Sequence, residues 1–173
     1  MLEGFFSEDE LPAFANQRLM TVVHNASQVA QMMKATLTRP LDTFIKFNTG
    51  MNRLGFTAGG GRYALGVAAS GRSFGDITLM THFANSDVAE DEQTQIQMQR
   101  FEDIAAKLPG ARSLANSAGV LEWPQSRAQW VRPGGLLYGI SVIAGSHAAQ
   151  FGFRPAMTLA SKLVAINRVG KGE

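Results

Sequence analysis

Thr43-Phe44-Ile45-Lys46-Phe47-Asn48-Thr49-Gly50-Met51-Asn52-Arg53-Leu54-Gly55-Phe56 runs from an apolar strand into a glycine-containing polar turn and carries two basic residues across the junction. Strand alternation sends Thr43, Ile45 and Phe47 to one face and Phe44, Lys46 and Asn48 to the other, so Lys46 falls on a face that should otherwise be packed. A bare ammonium there needs a reason, because burying an unpaired charge is costly. Taken alone, Lys46 reads as a side chain snorkelling from a strand end and Arg53 as a solvated loop residue. What surrounds them decides otherwise, because in parallel α/β folds the chemistry gathers at the carboxyl ends of the strands.

Outward from this stretch the chain alternates strand and helix. Leu2 to Phe6 reads as the end of a strand. Ser7-Glu8-Asp9-Glu10 has the serine and glutamate of a capping box, followed by Leu11, Phe14 and Leu19 on one helical face. Leu19 to His24 reads as a strand. Ser27 to Leu37 reads as a helix, with Val29, Met32 and Met33 at helical spacing and Pro40 beyond it. After Phe44 to Phe47, a Gly59-Gly60-Gly61 break is expected to precede a weak helix over Arg62 to Ala69, and Ile77 to His82 is the next strand. Asp87 to Leu108 reads as the longest helix, its buried stripe marked by Ile96, Phe101, Ile104 and Leu108. Arg112 to Ala115 and Gln129 to Val131 complete six strand candidates, and the alternation argues for a parallel sheet with helical crossovers. A closed eight-fold barrel needs about 250 residues. With 173 residues the choice lies between an open doubly wound sheet and a barrel missing two units.

The composition narrows the function classes. With 45% hydrophobic and 17% charged residues the chain reads as a globular domain with one sizeable core. Basic residues exceed acidic ones by only two and are scattered, so no basic stripe points to nucleic acid. The absence of cysteine rules out disulfides, thiolate nucleophiles and thiolate metal sites, and fits a cytoplasmic location. Gly134 to Gly145 is the longest weakly polar stretch and is too short to span a bilayer, and the N-terminus does not read as a signal peptide.

Four polar clusters close the apolar runs: Lys46 to Arg53, Thr81-His82, Asn116-Ser117 and Arg132-Pro133-Gly134-Gly135. All lie at carboxyl ends of expected strands, which share one face of a parallel sheet, so they converge on one site. His82 shares a strand face with Thr78 and Met80 and could as well be a satisfied core histidine. Asn116-Ser117 suits both a helix cap and a phosphate cradle. Gly134 and Gly135 suit a turn, and equally a loop whose amides approach a phosphate closely, with Arg132 as a fixed cation beside them. Gly59-Gly60-Gly61 lacks dinucleotide-fingerprint spacing, and His24 and His147 have no partner cluster and read as structural.

Lys46 to Phe56, Met80-Thr81-His82-Phe83-Ala84, Leu114-Ala115-Asn116-Ser117-Ala118 and Trp130-Val131-Arg132-Pro133-Gly134-Gly135-Leu136-Leu137-Tyr138-Gly139 resemble, in order and spacing, successive blocks of the alanine racemase family. The resemblance extends from Leu2-Glu3-Gly4-Phe5-Phe6 over essentially the whole chain. It implies an α/β fold of (β/α)8 TIM type, incomplete here at about strands 3 to 8. Residues 1–150 would form a partial barrel that binds pyridoxal 5'-phosphate, and 151–173 a linker and the first strand of a mostly β C-terminal domain. It implies a homodimer in which that domain closes the partner's barrel, and the interconversion of L- and D-alanine for the bacterial cell wall.

By the same resemblance, Arg53 contacts the cofactor's phenolic oxygen and the substrate carboxylate, for which its planar fork of donors is suited. Lys46 resembles a lysine that many members carry carbamylated, a charge that would hold Arg53. His82 resembles the histidine near the pyridine ring, Asn116 belongs to the cofactor-binding block, and Ser117, Gly134 and Gly135 resemble phosphate ligands. Arg132 resembles the partner of the pyridine nitrogen. Asn48 stands where many members carry aspartate and is expected to be tolerated. The family's two bases are a lysine that holds the cofactor as a Schiff base and a tyrosine from the C-terminal domain. Neither Tyr63 nor Tyr138 lies in a block matching that tyrosine, and Lys34, Lys46, Lys107, Lys162 and Lys171 stand outside any block matching that lysine. The expectation is therefore a central piece of the family's length, from the Met1 to Phe6 strand end to a new strand over Met157 to Val169 that stops at Gly170 to Glu173, and inactive alone. A non-catalytic pyridoxal phosphate carrier and a degenerate remnant are the competing readings.

Overall fold

The computed structural model describes residues 2–172. Its strands are β1 (Thr21–Val23), β2 (Leu41–Lys46), β3 (Phe74–Met80) and β4 (Ala111–Ser113), paired in parallel in the order β1-β2-β3-β4. The helices are α1 (Leu11–Asn16), α2 (Ala26–Lys34), α3 (Ala58–Ala68), α4 (Gln93–Ala105) and α5 (Ser117–Glu122), with short 3-10 turns between and after them. Helices alternate with the strands, so the chain is an α/β segment with one parallel sheet, an incomplete TIM-type barrel.

The sheet divides two environments. Val23, Ile45 and Leu79 stand in register and enter the main core with Phe47, where Phe14, Val29, Met32, Ala64, Ala68, Phe101 and Ala105 of the helices cover them. The opposite face carries Val22, Phe44 and Met80, with Met20 partly buried against them and Trp130 edge-on to Phe44 at 5.8 Å between ring centres. Lys46 follows Phe44 on this second face, as strand alternation requires, and is only 3% exposed.

Several elements differ from the sequence expectation, each for a local reason. Leu2 to Phe6 is no strand, because Gly4 turns the backbone to φ +83°, and the segment is pinned instead by the Gln28 side chain donating to the Phe5 carbonyl. Met1 and Glu173 lie outside the described residues. The three glycines do not break α3. They form its first turn, where Thr57 caps the helix by accepting from the Gly60 N–H and Gly61 gives room to the Phe47 ring. α4 starts at Gln93 and not at Asp87, because the Asp91 carboxylate ties down the preceding loop by accepting from Asn85 and from the Gln93 N–H. Its buried stripe is Thr94, Gln97, Phe101 and Ala105, while Ile96 is exposed. Gln129 to Val131 contributes one bridge, Trp130 to Ser113. Met157 to Val169 forms no strand: it has no partner segment beside it, and Leu159 and Val164 are fully exposed.

α3 holds an internal control for this packing. A Cβ on Gly61 would lie 2.1 Å from the Phe47 ring, whereas one on Gly66 meets nothing within 4 Å. Gly61→Ala should therefore cost about 1–3 kcal/mol through overpacking. Gly66→Ala should add roughly 0.5–1 kcal/mol by lowering the entropy of the unfolded helix segment. Urea denaturation of both variants checks the pair, and equal signs would contradict the packing described.

Candidate functional site

The carboxyl ends of the strands are level because the ladders are in register: Lys46 pairs with Met80, and Met80 with Ser113. The polar clusters that follow each strand therefore leave the sheet side by side. After β2 the loop is closed on itself. The Phe56 N–H donates to the Lys46 carbonyl and the Asn48 N–H to the Phe56 carbonyl, both at 2.8 Å. Inside it the Asn48 amide oxygen accepts from the Gly50 and Asn52 N–H groups, and its amide nitrogen donates to Asn52 Oδ1. Asn48 is thus the brace of the turn that presents Arg53, and Asn52 takes the left-handed conformation there at φ +58°.

After β3, His82 projects beside Arg132, with His82 Nδ1 3.5 Å from an Arg132 terminal nitrogen. The Arg132 guanidinium donates to the Thr81 carbonyl at 2.7 Å, to the Leu114 carbonyl at 3.1 Å and to the Ser113 hydroxyl. Its Nε is buried without a partner. After β4, the Asn116 side chain caps α5 by accepting from the Gly119 N–H at 2.9 Å, and it also accepts from the Ser86 hydroxyl. Ser117 Oγ accepts from the Gly135 N–H at 2.9 Å, which brings the glycine loop against the start of α5. Gly134 has open space where a Cβ would stand.

These groups line two clefts. One, of about 430 Å³, is bordered by His82, Asn116, Ser117, Arg132, Gly134 and Gly135, with Asp87 at its edge. The other, of about 230 Å³, is bordered by Lys46, Arg53 and His82 together with Glu3 and Met80. Leu2 and His82 belong to both, so the clefts meet there. All eight site residues expected from sequence are brought together. His24 lies apart, with Nε2 3.1 Å from the Glu3 carbonyl, and His147 sits at the start of an exposed 3-10 turn.

Sequence reasoning missed Leu2, whose role at the meeting of the clefts follows from the irregular course of residues 2–6. It also missed Gln97, a polar residue on the buried side of α4. Its only sequence signal was the placement of glutamine at 97, i+4 from Gln93 and four before Phe101, on what the stripe shows to be the core face.

The electrostatics follow from gathering cations where water is scarce. Burial, then the neighbouring Arg53 and Arg132, push the Lys46 ammonium down to about 8, with Glu3 opposing. Burial, then Arg132, Lys46 and Arg53, push the His82 imidazole down to about 4. Burial alone lowers Arg132 to about 10, so it keeps its proton at neutral pH. Among the described residues the one ion pair, Arg112 with Glu102, lies outside this site.

Parallel strands whose carboxyl ends deliver a cationic, amide-lined cleft define this chain as a segment of a TIM-type barrel with its polar site at the strand ends. A family model described as alanine racemase, N-terminal domain, matches residues 1–142. The chain belongs to that family. It is 44% identical over 167 residues to the alanine racemase of Shewanella sp. strain MR-4, across 96% of this chain and 47% of that protein. Its fold matches the crystal structure of the biosynthetic alanine racemase from Pseudomonas aeruginosa with a TM-score of 0.86 at 35% identity, over 90% of this chain and 44% of that one. The alanine racemase structure from Acinetobacter baumannii follows with a TM-score of 0.79 at 33% identity, over 89% and 44%. The chain spans about half the length of the curated relatives it matches.

Lys46 gives the site a pH signature. Its folded pKa lies below its ordinary value, so the folded chain binds fewer protons than the unfolded one between pH 8 and 10.5. Stability is lowered in full below pH 8 and is regained as pH rises through that window. Lys46→Met should raise Tm by a few degrees at pH 7, and the gap between variant and parent should narrow from pH 8 to 10.5. Thermal scans across that range check this, and a lower Tm for Lys46→Met at pH 7 would contradict it.

Proposed function

We propose that this chain supplies the cofactor-holding and substrate-carboxylate-holding part of a pyridoxal 5'-phosphate-dependent alanine racemase, which interconverts L- and D-alanine. One observation carries the reading: Lys46, Arg53, His82, Asn116, Ser117, Arg132, Gly134 and Gly135 line two clefts that meet at His82.

The residues fit the group. A phosphate monoester needs backbone amides, a hydroxyl and nearby positive charge. The Gly135 N–H now donates to Ser117 Oγ, and that N–H and the serine hydroxyl are the donors that would turn to a phosphate, with room left by the open side of Gly134. The orphaned Arg132 Nε shows a guanidinium whose hydrogen bonding is incomplete within the chain. When bound, the cofactor supplies an electron sink that acidifies the α-hydrogen of the amino acid.

The chain's own residues then have distinct tasks. Arg53 binds the substrate carboxylate and the cofactor's phenolic oxygen through its planar fork. Arg132, which keeps its proton at neutral pH, would hold the cofactor's ring nitrogen as a donor that cannot protonate it, and would so temper the electron sink. His82, neutral at working pH, presents an uncharged ring beside the cofactor and adds no repulsion to the cations around it. Asn116 holds the start of α5, and through it Ser117, in place. Lys46, with a substantial neutral fraction near pH 8, has the amine form that adds carbon dioxide, and the resulting carbamate would hold Arg53 by charge. NMR of the protein in 13C-bicarbonate should show a carbamate resonance that Lys46→Met lacks.

The family resemblance also supports a homodimer closed by a C-terminal β domain, with residues 1–150 as the barrel part and 151–173 as a linker and the start of that β domain. The family match over 1–142 is in keeping with that division. A cytoplasmic location rests on the cysteine-free composition, and no described helix is long and apolar enough to cross a membrane.

Lys46 is the only lysine among the described residues lining the two clefts, and no tyrosine lines them. Holding and racemising are therefore separable in this chain. Titrating the purified chain into pyridoxal 5'-phosphate should give a saturable change in cofactor absorbance, weakened about tenfold in Ser117→Ala by the loss of one phosphate hydrogen bond. The same preparation should leave the α-proton of alanine unexchanged in D2O. A titration without saturation would overturn the cofactor reading, and α-proton exchange would overturn the proposed division of labour.

A further inference from the structure

We propose that Gln97 is a positioning residue of this site, fixing the main chain at His82 and, through Thr49 and Thr81, the carbonyl that receives the Arg132 guanidinium. The inference rests on the reading of His82 and Arg132 as cofactor-holding residues.

Gln97 is completely buried in α4, a polar side chain on the helix face that Phe101 and Ala105 share. Its amide is spent on the two strand ends that carry the site. Oε1 accepts from the Ala84 N–H at 2.8 Å, and Nε2 donates to the His82 carbonyl at 2.9 Å and to Thr49 Oγ1 at 3.2 Å. His82 is thus bracketed by one side chain that holds its own carbonyl and the amide two residues later.

The Thr49 contact starts a chain whose direction is determined. Thr81 Oγ1 donates to the Phe47 carbonyl at 3.1 Å, so its single proton is used. In the 2.7 Å contact between the two hydroxyls, Thr49 must then be the donor, and its oxygen is free to accept from Gln97. The order runs Gln97 to Thr49 to Thr81 to Phe47, every proton assigned and every member buried. Thr81 in turn offers its carbonyl to Arg132 at 2.7 Å. One amide in α4 therefore reaches the turn that presents Arg53, the backbone of His82 and a main-chain acceptor of Arg132.

The same face of α4 clamps the turn further along. Arg100 donates to the Thr49 carbonyl at 3.2 Å, and a Cβ on Gly50 would come within 2.7 Å of Gln93 Nε2 and 3.4 Å of Gln97 Cγ. Gly50, at φ +142°, lets the turn lie flat on residues 93, 97 and 100, spaced i, i+4 and i+7 along the helix. The pattern needs a carboxamide, which presents two donors and an acceptor on one uncharged plane, and glutamine carries it one methylene further from the helix than asparagine would.

The test reads His82 directly. Its imidazole faces Arg132, Lys46 and Arg53, and it titrates near 4 while it is buried among them. Gln97→Met keeps the volume and removes every hydrogen bond. In that variant the His82 midpoint, followed by NMR of the histidine ring protons, should climb by about one unit or more toward its ordinary value. Affinity for pyridoxal 5'-phosphate should fall about tenfold. Thr49→Val keeps Gln97 on His82 but cuts the path to Thr81, and should move both readouts in the same direction by less. A folded Gln97→Met with an unchanged His82 midpoint and unchanged affinity would overturn the proposal. If Gln97→Met does not fold, Thr49→Val decides, and unchanged readouts there overturn it. If the parent chain binds no pyridoxal 5'-phosphate, the cofactor reading fails alone, and the His82 midpoint still decides the role of Gln97.

Discussion

The Arg132 guanidinium ties together three main-chain or side-chain oxygens from the ends of two strands, those of Thr81, Ser113 and Leu114, and the Arg132 backbone N–H donates to the Ala115 carbonyl. Without it, the Thr81 and Leu114 carbonyls at the carboxyl end of the sheet would lose their guanidinium donor, and a single Ser113 hydroxyl has only one proton to offer between them. Only a planar, multidentate donor can serve acceptors in those directions at once, so lysine would not replace it. The segment around Trp130 pairs with Ser113 by a single bridge, and the Arg132 side chain adds to the backbone bonds and the Trp130–Phe44 ring contact that hold it to the sheet.

The parallel register does the rest of the assembly. With Lys46, Met80 and Ser113 level, the loops after three strands emerge at one height, and short closures keep them there. The bridge from Phe47 to Phe56 and the Asn48 brace make the Arg53 turn a small closed structure, with Phe47 and Phe56 in the core and Arg53 on the cleft. The fold thus spends its regular structure on aligning the turns and its side-chain hydrogen bonds on stiffening them.

The order of strands and helices could be read from apolar periodicity, and so could the side of the sheet that Lys46 occupies, because a period of two leaves no freedom once Ile45 and Phe47 are known to be core. The convergence of the eight candidate residues was legible for a related reason: they follow apolar runs, and a parallel sheet collects the ends of such runs on one face. What was not legible depended on contacts between distant segments. Gly59 to Gly61 look like a break until Phe47 is seen to need the space beside Gly61. Ile96 looks like core until the stripe of α4 turns out to be set by Gln97 reaching the strand ends, so a polar residue displaces an apolar one from the buried face. Residues 2–6 look like a strand because their composition is right, but φ at Gly4 is a backbone property that composition does not carry. Residues 157–169 have the alternation of a strand and nothing to pair with, and alternation alone does not hold a strand in water.

The charge balance at the site explains why the chain tolerates an arrangement that costs it stability. Lys46, Arg53, Arg132 and His82 are set close together, Glu3 and Asp87 border the clefts, and among the described residues none of these forms an ion pair with another. Burial first, and the crowding of cations after it, lowers the proton affinity of Lys46 and His82, and for Lys46 that lowering is a cost to the folded state at neutral pH. An anion entering the clefts would reverse the sign of the interaction, favouring the charged form of Lys46 and offsetting the repulsion among the arginines. On the proposed reading the occupants are a phosphate ester at the amide-lined end and a carboxylate at the Arg53 end, so the two clefts would be filled by opposite ends of one reacting assembly. A site built this way is least stable when empty, and binding and folding stability then draw on the same interactions.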